Sequence, residues 1–420
     1  MTPDRARVWA LWGLSRLVVL LLFVTVETGS AFDLKYYAAN LDSLGAEGVG
    51  GTLREYPVPA FLVLALPYGL LHMVGLSAIY PAVVFALALL LDAWFLHVLV
   101  GRARTPGATS APVWAWLAAT PALGALSFAR FDLLPGVLVA LALLTYVDAP
   151  RRAAVLGVLA TGVKYSPALV LPGLAAPAAS RLRVVVAGAV AGVVLVLVSI
   201  AVGGWDRVVS PLSYQGRRGL QIESLAATPA MVRWAFSPHQ YDVFYAPSKA
   251  WEVRGPGVDA LLTASTVATA LLLAVLVALW VLAWVRLPDP RTGLTAVVWL
   301  TLAAVLAFIA GGKVLSPQYL LWVLPPACAG LALVDAADRR RLGRWTAVLL
   351  VTTALTHLIY PVGYNHLLGH DGWSGVMVAV LTVRNLLLAG LCVSALVAAH
   401  AAIRRVPRRP RDRAASPASG

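Results

Sequence analysis

The sequence predicts an all-α polytopic membrane protein, and three observations carry that prediction. Of 420 residues, 60% are hydrophobic and 12% charged. Mean hydropathy is +0.81, and apolar runs long enough to cross a bilayer recur over most of the chain. A water-soluble domain carries about a quarter charged residues, so a hydrated globular shell is excluded. A helix needs about 20 apolar residues to span, because the bilayer core offers exposed backbone groups no partner. A formal net charge of +14 would raise nucleic acid as a partner for a soluble chain. Here the arginines are first of all topology signals, and no nucleic-acid role is expected.

Eight runs read as single spans: 8–26, 79–100, 184–202, 258–285, 294–310, 319–334, 345–360 and 376–399. Two more, 113–147 and 153–179, are too long for one span and are interrupted by Arg130-Phe131-Asp132 and Lys164-Tyr165-Ser166-Pro167. Each reads as a helical hairpin with a polar tip, the second short enough to be re-entrant. The total is about twelve crossings. The stretch 58–74 is also apolar, but counting it as a span would put Arg102 and Arg104 on the wrong side. It is expected to be an interfacial or partly buried helix on the outer side, broken by Pro57, Pro59 and Pro67.

Arginines then set the orientation. Arg5 and Arg7, Arg102 and Arg104, Arg151 and Arg152, Arg181 and Arg183, Arg286 and Arg291, Arg339 to Arg341 with Arg344, and six between 404 and 413 all fall on one side. Basic residues near span ends stay cytoplasmic, so both termini are expected there. The first span lacks a clear small-residue cleavage site and is read as retained. Residues 1–403 form the membrane domain; the basic tail 404–420 is expected to be disordered at the cytoplasmic surface, near anionic headgroups. Cys328 and Cys392 lie in apolar runs and read as small buried side chains.

Four outer segments, 27–57, 203–257, 311–318 and 361–372, collect the polar residues that topology does not explain, together with the hairpin tips. All four lysines, Lys35, Lys164, Lys249 and Lys313, lie there against the bias for positive charge inside. An anionic substrate is one partner for them; neutralisation by neighbouring Asp and Glu is the other. Asp33 follows the first span directly, at a boundary where partial desolvation favours a general base, with a helix cap as the alternative. Glu55 competes for that role, or orients a sugar hydroxyl, or pairs with Arg54. Arg217 and Arg218, between Gly216 and Gly219, bring guanidinium and backbone N–H donors to a phosphate, unless they form only a solvated basic turn. Lys313, Gln318 and Tyr319 stand where the chain re-enters the membrane, and Pro317 starts the following helix. Arg130 with Asp132 reads as an ion pair within the hairpin tip, and Lys164 as a snorkelling cation unless it meets substrate. His366, His370 and Asp371 lack further ligands at usable spacing, so no metal site is expected.

The first-loop Asp33 followed by Tyr36 and Tyr37, the Tyr-Pro-Val-Pro at 56–59, Arg-Gly-Leu-Gln-Ile-Glu-Ser at 218–224, Leu-Ser-Pro-Gln-Tyr-Leu-Leu-Trp at 315–322 and Val-Arg-Asn-Leu-Leu-Leu at 383–388 together resemble bacterial glycosyltransferase family 87. Their order and topological placement carry the resemblance, which runs from Arg16 to Leu391. It implies a GT-C fold in the bacterial cell membrane. It also implies inverting transfer of a hexose, typically mannose, from a polyprenyl-phosphate carrier to a hydroxyl of a glycolipid or glycan acceptor on the outer face, with no cofactor and no obligatory metal. By position it makes Asp33 the catalytic base. The substrate-binding candidates are Lys35, Tyr37, Glu55, Tyr56, Arg130, Lys164, Arg217, Arg218, Glu223, Lys313, Gln318, Tyr319 and His366. The family's usual Tyr-Pro-Pro has Val58 at its third position here. A transporter or lipid-linked-sugar flippase is the competing class; the absence of a convincing internal repeat weighs against it. So does polarity concentrated toward one face, with Arg16, Asp92 and Arg384 the main charges inside apolar runs.

Overall fold

A computed structural model of the chain describes residues 4–105, 107–216 and 218–407. Arg217 and the tail from 408 onward lie outside the described residues, whereas Arg404 and Arg405 still belong to the last helix. In chain order the α-helices are α1 (Arg5–Thr25), α2 (Phe32–Asp42), α3 (Leu44–Gly51), α4 (Val58–Met73), α5 (Tyr80–Ala103), α6 (Ala111–Leu123), α7 (Leu133–Thr145), α8 (Pro150–Val163), α9 (Leu171–Leu174) and α10 (Arg181–Gly216). They continue with α11 (Thr228–Phe236), α12 (Val258–Arg286), α13 (Leu294–Gly311), α14 (Leu324–Leu333), α15 (Ala336–His357), α16 (Asn365–Leu368) and α17 (Ser374–Arg405). Among the described residues the only sheet is a hairpin of β1 (Asp242–Tyr245) and β2 (Trp251–Arg254), with Val243 opposite Val253.

Seven helices, α1, α5, α10, α12, α13, α15 and α17, are long and apolar enough to cross a membrane, and the protein is membrane-embedded. Large apolar side chains such as Leu14, Val190, Leu271 and Leu386 are exposed along them, a surface that only lipid matches. Seven of the eight single spans expected from sequence coincide with these helices. The eighth, 319–334, is instead a 3₁₀ segment, Pro317–Trp322, followed by the ten-residue α14, nearly all buried in protein. Irregular backbone at that depth is tolerated because protein, not lipid, surrounds it.

Contacts between helix ends define two poles. At one, Arg102 donates to the Leu144 carbonyl at 2.7 Å, Ala178 N–H to Leu287 at 3.0 Å, and Arg405 pairs with Asp338 at 2.8 Å. At the other, Glu27 after α1 meets His357 at the end of α15 at 2.7 Å and accepts the N–H of Ala125 beyond α6. Both hairpin tips lie at this second pole. Helix α4 is not broken by Pro67, contrary to expectation: it runs through with that proline inside and with Pro57 and Pro59 at its start, where a missing N–H costs nothing. It stays at the second pole, Tyr68 bonding Asp42 at the end of α2 and Pro59 packing near Gly162 at the end of α8.

Two glycines shape what the second pole presents. Gly204, at φ +76°, kinks α10 and turns its last segment toward the α3–α4 connection, where Ser210 bonds the carbonyl of Arg54 at 2.8 Å. Gly136 of α7 lies so close to the segment carrying Gln318 and Tyr319 that a Cβ there would meet the Leu321 carbonyl oxygen at 1.9 Å. Gly136→Ala is therefore expected to destabilise the protein by about 1–3 kcal/mol. A thermal melt of the purified protein checks this; an unchanged midpoint would mean that the contact relaxes freely.

Candidate functional site

Between the second-pole ends of the helices and the β-hairpin lies a cavity of about 320 Å³. Of the sequence-predicted residues it gathers Asp33, Glu55, Tyr56, Arg130, Lys164, Arg218, Glu223, Gln318 and Tyr319 around one space. These come from α2, the α3–α4 connection, both hairpin tips, the loop after α10 and the 3₁₀ segment before α14.

Asp33 is not a cap. The residue before α2 is Ala31, and Asp33 sits inside the first turn, buried, with its carboxylate paired to Arg130. Arg130 thus bonds across the fold and not to Asp132 in its own tip. Asp132 takes two other partners, Lys164 at 3.1 Å and the indole N–H of Trp322 at 3.0 Å. Lys164 accordingly does not snorkel. Its ammonium lies 5.2 Å from the Tyr56 ring centre, 5.0 Å from Phe131 and 5.5 Å from Trp322, an aromatic cage that stabilises a cation away from bulk water. Glu55 accepts from the Tyr36 hydroxyl at 2.6 Å and does not pair with Arg54; the Lys249 ammonium reaches the same hydroxyl at 2.5 Å.

The Arg-Gly-Leu-Gln-Ile-Glu-Ser segment is held from below by α17. Arg384 donates to the Glu223 carbonyl at 3.2 Å and to its carboxylate at 3.4 Å. The Asn385 amide donates to the carbonyls of Glu223 and Ser224, both at 3.3 Å, and to Thr228 at 2.8 Å. A buried arginine in an apolar helix is costly unless paired, and this one fixes a carboxylate at the cavity wall. Burial pushes the Glu223 carboxyl up to about 7, with Arg384 and Tyr364 pulling the other way. Gln221 accepts the N–H of Leu315 at 2.6 Å, which ties this segment to the Leu-Ser-Pro-Gln-Tyr motif.

Other candidates fall elsewhere. Lys35 is exposed on α2 and does not line the cavity, being two positions along the helix from Asp33 and so on another face. Tyr37 is fully buried, edge-on to Tyr56 and Phe131, and serves as core beneath the site. His366 pairs with Asp371 at 2.6 Å away from the cavity. Lys313 donates to the Gly216 carbonyl at 3.0 Å and lines a second, apolar groove of about 400 Å³ with Leu169, Leu212 and Phe308. That groove shares Glu55, Lys164 and Tyr319 with the cavity, so a polar chamber and an apolar channel meet there.

The wall residues that were not among the substrate-binding candidates include Lys249, Trp251, Tyr360 and Tyr364. Lys249 carried a signal, as a lysine on the outer side, but its partner Tyr36 is 213 positions away. The two tyrosines stand on either side of Pro361, just ahead of His366 and His370. Among the described residues no group of three or more His, Cys, Asp or Glu is arranged to hold a metal ion. The two cysteines are free and buried. No family model, no curated protein and no solved structure matches this chain.

Proposed function

We propose that the chain is a membrane glycosyltransferase of GT-C type that moves a hexose, mannose by its resemblance to family 87, from a polyprenyl-phosphate carrier to an acceptor hydroxyl. The observation that carries this is the junction of the two cavities. A chamber with carboxylates at Asp33, Glu55 and Glu223 and cations at Arg130, Lys164, Arg218 and Lys249 opens beside an apolar groove of matching scale. A sugar phosphate fits the first and an isoprenoid chain the second.

In this mechanism the acceptor hydroxyl gives its proton to Asp33 as its oxygen bonds to the anomeric carbon, and the carbon–oxygen bond to phosphate breaks, its electron pair leaving on the phosphate. One displacement inverts the anomeric centre. Arg130 is a positioning residue that holds the Asp33 carboxylate. Lys164 and Arg218 are the donors that meet charge developing on the departing phosphate, and Lys313 stands where the lipid chain joins it. In this arrangement the chain passes between the poles twelve times, through the seven long helices and five shorter or irregular segments, namely α6, α7, α8, the stretch 164–180 that contains α9 and the stretch 317–334 that ends in α14, with α4 lying in the interface. The arginine-bearing pole is then cytoplasmic with both termini, and the cavity faces the outside of a bacterial plasma membrane.

Purified protein in vesicles, given radiolabelled polyprenyl-phosphate mannose and an envelope glycolipid extract, is expected to yield a labelled product of inverted anomeric configuration. Retained configuration would remove the single displacement, and no transfer with any polyprenyl-phosphate sugar would remove the enzyme class. The Glu223 carboxyl adds a pH dependence. Below about pH 7 it is neutral and leaves the cavity more positive; above, its negative charge opposes the donor phosphate. Donor KM is therefore expected to rise through pH 7 and the rise to vanish in Glu223→Gln, as initial-rate measurements from pH 5.5 to 8.5 would show.

A further inference from the structure

At the pole opposite the cavity, α8 and α10 pack side by side, and both begin there with arginines, Arg151 and Arg152 on one and Arg181 and Arg183 on the other. An apolar groove of about 550 Å³ opens along this pair, lined by Val155, Val186, Ala187 and Val190, with Arg151 and Arg183 lining it too. It faces outward: Leu182 is 75% and Val190 60% exposed.

The four arginines are not equivalent. Arg181 is engaged, donating to the Ala176 carbonyl at 2.7 Å and stacking 3.9 Å from the Trp284 ring centre. Arg183 makes one hydrogen bond, to the Ala179 carbonyl at 2.9 Å, which leaves most of its donors facing out. Among the described residues Arg151 makes none, and no carboxylate lies within ion-pair distance of either. The residue before α8 is Ala149, whose side chain caps nothing, so uncapped N–H groups and two helix dipoles add to the same positive potential.

A bare pair of guanidinium groups above a row of valines complements one kind of molecule: a lipid whose acyl chain follows the aliphatic wall and whose phosphodiester meets the arginine forks. A zwitterionic lipid fills the groove equally well but brings its own cation toward the arginines. We propose that the groove between α8 and α10 binds an anionic glycerophospholipid of the phosphatidylglycerol type, at the pole away from the catalytic cavity. The site stands independently of sugar transfer.

The test titrates the full-length protein in neutral detergent with dioleoyl phosphatidylglycerol, dioleoyl phosphatidylcholine or glycerol phosphate, reading bound lipid by native mass spectrometry. Phosphatidylglycerol is expected to bind about tenfold or more tighter than phosphatidylcholine. The exposed pair replaced as R151Q/R183Q should weaken it about 30-fold, from the contribution of two surface arginines. Ala187→Phe, which fills the groove with both charges kept, should weaken it as well. R340Q/R344Q, at exposed arginines on α15 that do not line the groove, should leave it unchanged. Equal affinity for the two lipids would overturn the proposal. So would an equal loss in R340Q/R344Q, which would make the arginines diffuse topology charge, or equally tight glycerol phosphate, which would make the ligand a free phosphate.

Discussion

Asp33→Asn is expected to lower sugar transfer by about 10²–10⁴-fold while leaving donor binding in place, the range that loss of a general base produces. The side chain keeps its shape, its place in the first turn of α2 and a hydrogen-bond acceptor for Arg130, but no longer takes a proton at neutral pH. Two measurements separate the possible roles. Donor binding by equilibrium titration should stay near the wild-type value, and single-turnover transfer should fall. If Asp33 served only to neutralise Arg130, the variant would melt earlier and bind an anionic donor more tightly, with the chemical step intact. A transfer rate within a few-fold of wild type would move the base to Glu55 or Glu223, the other carboxylates on the cavity wall.

Asp92→Ala is expected to destabilise the fold by about 3–5 kcal/mol, since it strands a buried cation. Arg16 of α1 and Asp92 of α5 are buried with side chains 3% and 0% exposed. Arg16 forks onto the carboxylate through Nε and Nη2, both at 2.9 Å, and donates to the Leu117 carbonyl at 3.1 Å. Asp92 also accepts the Trp12 indole N–H at 2.6 Å. Removing the carboxylate leaves a guanidinium in an apolar helix with only the neutral Leu117 carbonyl and Ser15 hydroxyl as hydrogen-bond partners. Replacing both charges together, as R16M/D92L, should recover most of the loss, because an isosteric apolar pair has no desolvation penalty to offset. Thermal melts of the single and double variants in the same detergent make the comparison. A double variant as unstable as the single one would show that the Trp12 and Leu117 contacts, not the charge, hold α1 in place.

Near the site the sequence was a good guide to which residue types matter and a poor guide to their partners. The cations and carboxylates of the outer segments were visible as departures from the arginine bias, and nine of the fourteen candidate positions line the one cavity. The pairing was not visible. Arg130 and Asp132 stand two apart and invite a local bridge, yet the tip directs them to Asp33 and Lys164, 97 positions back and 32 ahead. Lys35 and Tyr37 neighbour Asp33 in sequence and do not join it at the cavity, one facing the surface and the other the core. At about 100° per residue Lys35 lies on the opposite side of α2 from Asp33, whereas Tyr37, one turn on and on the same side, is taken into the core by its packing against Tyr56 and Phe131.

Hydropathy is a sum over neighbours in the chain, so the sequence by itself determined the membrane class, the seven long helices and the pole to which the arginines belong. Where apolar surface is traded for polar, the outcome depends on what the folded neighbours offer. For that reason only the tertiary structure decided that the segment before α14 abandons a spanning helix, that α4 runs unbroken through Pro67, and that Lys313 belongs to the apolar groove. Ion pairs, close glycine contacts and cavities join residues tens to hundreds of positions apart, and their energies arise only once the helices pack.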